Sequence, residues 1–165
     1  MKILFFVLIF VLLPNLTQIL RADTPNQFYA AGSESLVFLI RWGMIKGGFA
    51  TLEIERPQFY EKAGTDCFFI VSRARSNRFF DTFYKVRDIN RSWVDAEGFF
   101  SYGFEKDHNE GKFTRYRNVF FDYDDEKIIV KSRTNVSERP IQNERLQDAL
   151  SAMYFMRTQK LRWAE

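Results

Sequence analysis

The chain has 165 residues, with 24 Lys and Arg against 21 Asp and Glu, a formal net charge of +3, and 18% aromatic residues including 19 Phe. Interleaved charges of both signs speak against a nucleic-acid surface, and one Cys excludes an intrachain disulfide and a thiolate zinc site. Stability must come from the core, where large rings bury much area per ordered residue.

The chain opens with Lys2, runs apolar from Ile3 to Leu13 and stops at Pro14. That is the layout of a secretory signal peptide, expected at residues 1–22 with cleavage after Ala22. A membrane-spanning helix needs about 20 apolar residues, and Asn15, Thr17 and Gln18 interrupt the run. Removal of the signal takes Lys2 and Arg21 and no acid, leaving a net charge of +1. The mature chain is therefore expected to be exported and nearly neutral.

Residues 23–35 are small and polar and read as a lead-in segment. Residues 36–165 predict a single, mainly antiparallel β domain. Leu36, Phe38, Ile40 and Trp42 alternate on one face, and Ala50, Leu52 and Ile54 alternate beyond a glycine-containing turn. Trp42 and Leu52 are expected to face the interior, with Arg41 and Lys46 at the rim. In residues 67–76, Phe69, Val71, Arg73 and Arg75 share one face, as a strand leaving a covered region for a wet rim would. Further strand patterns end at Trp93, carry Phe100, Tyr102 and Phe104, place Tyr116 between Thr114 and Asn118, and set Ile128 and Val130 opposite Ile129. The segments DHNEG and DYDDE between them read as loops.

A helical pattern arrives only near residues 146–160. Leu146, Leu150, Met153, Tyr154 and Arg157 form its stripe, and Asp148 stands where a cap belongs. About seven strands with close turns and one late helix predict a mainly β fold. The expected form is a curved antiparallel sheet or partial β-barrel with one C-terminal helix.

Five motifs occur in order: RWGMIKGG, FDTFYKVRD, EGKF, FDY and DALSAMYFMR. Together they resemble an uncharacterised family of exported bacterial proteins, the DUF3108 domain of unknown function. The resemblance implies an exported, mainly antiparallel β domain in a Gram-negative periplasm or envelope, and it assigns no reaction and no functional residues. Similar proteins continue with further strands after this helix, so the resemblance implies either a truncated chain or a member that has lost its second half.

No catalytic residue, metal-ligand set or cofactor motif emerges. The one His, His108, falls in the expected DHNEG loop, and Cys67 in an apolar strand reads as a core residue. Asp122 to Glu126 clusters oxygen ligands but lacks the calcium-loop spacing. Asp81, Asp88 and Asp95 recur without a spacing that brings two together, and Asp88 reads as paired with Arg87 or Arg91, or exposed.

Two noncatalytic functions fit. The first is an apolar or lipid-like ligand held on the concave face of a curved sheet, with Trp42, Phe100, Tyr102, Phe104 and Tyr116 as lining candidates. The second is docking of an envelope protein partner on an exposed sheet edge or ring-rich patch. A solid packing of Phe68, Phe100 and Phe104 against the helix would count against the first.

Overall fold

A computed structural model describes residues 33–142 and 145–159. The expected signal peptide, most of the lead-in and the last residue of the expected helix lie outside the described residues.

The strand patterns fold into β1 (Glu34–Trp42), β2 (Ile45–Tyr60), β3 (Thr65–Ser76), β4 (Arg87–Asp95), β5 (Ser101–Glu110), β6 (Phe113–Asp122), β7 (Lys127–Ser132) and β8 (Val136–Pro140). They form one 8-stranded sheet in sequence order, every neighbouring pair antiparallel. The sheet is curved and does not close. A short helix α1 (Arg78–Asp81) precedes β4, and α2 (Ala149–Thr158) follows β8.

Register sorts the side chains onto two faces, because successive residues of a strand point opposite ways. One ladder crosses the whole sheet through Glu34, Ile54, Ile70, Ser92, Phe104, Val119, Val130 and Ser137. α2 packs on this face against β3 and β4. Its Tyr154 is completely buried in a cluster with Leu52, Ile54, Phe68, Ile70, Val94 and Phe99. Leu36, Leu150 and Met153 close the margin. Each buried aliphatic or aromatic side chain of this kind stabilises by about 1.5–3 kcal/mol, which is what holds a ten-residue helix on the sheet.

Hydrogen bonds fix where α2 begins and ends. Asp148 accepts from the Leu150 and Ser151 amides at 2.8 and 3.2 Å, and Ser151 Oγ accepts from the Asp148 amide at 2.9 Å, completing a capping box. The buried Ser92 hydroxyl donates to Asp148 Oδ2 at 2.5 Å, so the cap is tied to β4. Just upstream, the Leu146 amide donates to Tyr123 Oη at 3.1 Å, while that hydroxyl donates to the Ser101 carbonyl at 2.7 Å.

At the other end Arg157 donates to both Glu34 oxygens, at 2.6 and 2.8 Å. These bonds hold the Glu34 carboxyl below its ordinary value of 4.5. A carboxylate depressed in the folded state adds stability above its unfolded value and loses it as pH falls through the folded one. We therefore expect Glu34→Gln to lower the melting temperature at neutral pH and to narrow that deficit below pH 4.5. A deficit that stays constant with pH would contradict the assigned role of the pair.

Gly48 is set by close approach of strands. A Cβ there would lie 2.1 Å from the Arg75 carbonyl oxygen, a backbone atom that cannot swing aside. Gly48→Ala should cost about 1–3 kcal/mol, as overpacking does, measured by urea unfolding; an unchanged midpoint would contradict this reading of β2–β3 packing.

Three details differ from the sequence reading. β8 and α1 add elements that the pattern did not suggest, α1 starting where Asn77 Oδ1 accepts from the Phe80 amide at 3.0 Å. His108 lies within β5, not in a loop; the reversal needs only Gly111, at φ 58°, and Lys112.

Candidate functional site

On the face away from α2, β1, β2 and β3 place two rows side by side. Val37, Thr51 and Arg73 are direct partners in one, and Leu39, Phe49 and Arg75 in the next. Val37, Phe49, Thr51, Glu53, Arg73 and Arg75 line an open depression of about 560 Å³. That volume falls in the range of about 300–1,000 Å³ typical of small-molecule sites.

The depression has an apolar side and a basic side. Val37 is 69% exposed, Leu39 43% and Phe49 41%, and the strip leads toward Met44 at the hairpin tip. Opposite them Arg73 donates to Glu53 at 2.5 Å, so its charge is largely matched. The Arg75 guanidinium has no ion-pair or hydrogen-bond partner among the described residues. Between the two sides lies Thr51, whose Oγ1 is the buried side-chain polar atom without a partner among the described residues. Leaving such a group unmade costs about 1–3 kcal/mol. Apolar wall, free guanidinium and orphan hydroxyl together suit a molecule with a hydrocarbon part and an anionic, hydrogen-bonding head.

The five ring residues singled out from sequence are dispersed by the fold. Phe100 and Tyr102 meet with centroids 5.1 Å apart, and both contact Tyr123 at 5.3 and 5.5 Å. Burial raises the Tyr102 and Tyr123 phenols above their usual value, so both stay protonated. Phe104 lies on the α2-bearing face against Phe121, centroids 6.2 Å apart. Tyr116 lies on the other face and donates to Glu105 Oε2 at 3.0 Å, while Glu105 also pairs with Arg91. For Trp42 only the backbone is described, opposite Ile45 in the β1–β2 hairpin. Phe68 packs with the helix in the core cluster, but Phe100 and Phe104 lie outside it.

The model of the family described as a protein of unknown function, DUF3108, matches residues 37–165. The chain belongs to this family. The match starts within β1, so every later strand and α2 are parts of the DUF3108 domain. Comparison with curated proteins and with solved structures returns no match.

The remaining chemical candidates in this DUF3108 domain are buried or held by neighbours. Cys67 is buried at 2% exposure, and desolvation, with Asp95 and Asp66 adding to it, pushes its thiol up to about 12. It stays a protonated thiol and a poor nucleophile at neutral pH. Asp95 Oδ1 accepts from the Glu97 and Gly98 amides at 3.0 and 2.5 Å and so shapes a turn. Asp81 is held by Arg87 at 2.5 Å. Asp88 is not paired with Arg87 or Arg91: Arg87 pairs with Asp81, Arg91 with Glu105, and Asp88 Oδ1 accepts from the Asn109 amide at 2.9 Å. The pairing differs because register, not sequence neighbourhood, chooses partners across a sheet.

Proposed function

We propose that this chain is an exported, noncatalytic envelope protein that binds an amphipathic anion, an acyl chain with a carboxylate or phosphate head, in the β1–β3 depression. The observation that carries this reading is the unpartnered Thr51 hydroxyl at the floor, beside the free Arg75 and the exposed Val37 and Phe49. An anionic head would accept from Arg75 and, once the side chains covering its buried hydroxyl move aside, from Thr51, and the chain would cover the apolar strip toward Met44. Export rests on the apolar run from Ile3 to Leu13. Native mass spectrometry of the chain purified gently from an envelope fraction, before and after organic extraction, tests the reading. It predicts a stoichiometric acyl-containing adduct lost on extraction; a bare chain at its calculated mass in both samples would contradict it.

A second reading has its own support. β1 has no neighbour on its outer side among the described residues, and it exposes Phe38 on one face and Val37 and Leu39 on the other. Such an edge accepts an extended peptide by strand addition. A bare chain that crosslinks through β1 to an envelope protein would favour this reading over ligand binding.

A further inference from the structure

A separate cluster stands on the far half of the α2-bearing face. Asp88 and Asn90 on β4, and His108 and Glu110 on β5, point the same way because each pair is two residues apart on neighbouring strands. Asp88, His108 and Glu110 each bring one donor atom within 4.8 Å of the other two. All three are half-buried.

Each of the three is oriented by an outer partner. His108 Nε2 lies 3.1 Å from Asn90 Oδ1; in the tautomer that donates there, the Nδ1 lone pair is left for a ligand. Asp88 Oδ1 accepts from the Asn109 amide at 2.9 Å, leaving Oδ2. Glu110 Oε2 accepts from the Tyr84 hydroxyl at 3.3 Å, and the Glu110 carboxyl also meets that of Asp88, which raises its pKa. The Tyr84 ring is set by Gly111, where a Cβ would come within 2.8 Å of it. Arg115, the cross-strand neighbour of His108, stacks on Phe113 with its guanidinium carbon 5.4 Å from the ring centre.

We propose that Asp88, His108 and Glu110 form a binding site for a divalent transition metal of the zinc class. Two carboxylates this close repel each other unless a proton or cation lies between them. One imidazole with two carboxylates favours zinc-class ions over calcium or magnesium, which take oxygen ligands. Ligands about 2.1 Å from a tetrahedral ion lie roughly 3.4 Å apart, so modest side-chain rotation closes the observed cluster. Three protein ligands leave a further position for water or an anionic ligand. The hydrogen bonds from Asn90, Asn109 and Tyr84 are the kind of outer contacts that fix metal ligands.

The chain has a single His, which makes the test direct. Tag-free protein, stripped with chelator, is dialysed against zinc chloride and its metal content measured, while the imidazole resonance is followed by NMR. We expect one zinc per chain and a shift of that resonance. His108→Ala and the near-isosteric Glu110→Gln should each abolish stoichiometric loading, and Asn90→Ala should weaken it about tenfold, as loss of an outer contact does. No loading, loading with an unmoved imidazole resonance, or equal loading of both ligand variants judged folded by circular dichroism would overturn the proposal.

Discussion

Tyr154→Ala is expected to destabilise the protein by about 3–5 kcal/mol, the loss typical of truncating a large buried ring. Tyr154 is fully buried where α2 meets β2, β3 and β4, and no smaller side chain fills the space among Ile54, Ile70 and Val94. Its hydroxyl donates to Glu34 Oε2 at 3.4 Å, a long bond, so Tyr154→Phe should cost only about 1 kcal/mol or less. The pair of variants therefore separates packing from hydrogen bonding. Small domains have total stabilities of about 5–15 kcal/mol, so the alanine variant should melt at least roughly 10 °C lower. Thermal and urea unfolding followed by circular dichroism measure both. An alanine variant within about 1 kcal/mol of wild type, well below the usual cost, would mean that α2 is not a structural cover of the sheet.

Binding of a long-chain fatty acid should fall about tenfold to a hundredfold in Arg75→Glu, the equivalent of one charge-assisted hydrogen bond. The substitution replaces an exposed guanidinium, without an ion-pair partner among the described residues, with a carboxylate, which would repel an anionic head. Phe49→Asp acts on the other half of the ligand by placing a charge in the apolar strip. Both positions are exposed, so neither variant should unfold the sheet. Fluorescence titration with a parinaroyl probe reads the affinity. If Phe104→Leu weakens binding while Phe49→Asp and Arg75→Glu do not, the ligand lies on the α2-bearing face instead.

Much of the fold was legible because strand alternation and one helical stripe are strong local signals. Leu52 and Ile54 are core residues as their patterns predict, and Asp148 caps α2 where an Asp before Leu150 and Tyr154 predicts a start. β8 escaped notice because Val136–Pro140 has one apolar residue other than its proline, and every position is exposed. His108 was misplaced because DHNE looks like a polar loop, whereas a strand half-exposed on both faces accepts such residues. The sites were far less legible. The depression needs the register of three strands to put Thr51 between Val37 and Arg73, and Asp88 meets Glu110 only through the β4–β5 pairing. Rings alone drew attention to Phe100, Tyr102, Phe104 and Tyr116, and periodicity cannot say that the sheet sends Phe104 and Tyr116 to opposite faces.

The measurement closest to the central claim is amide NMR of the isotope-labelled chain during titration with a long-chain fatty acid. The account predicts saturable shifts concentrated at Val37, Phe49, Thr51, Arg73 and Arg75. Shifts confined to Phe104, Val119 and Phe121, or no saturable shifts, would contradict it.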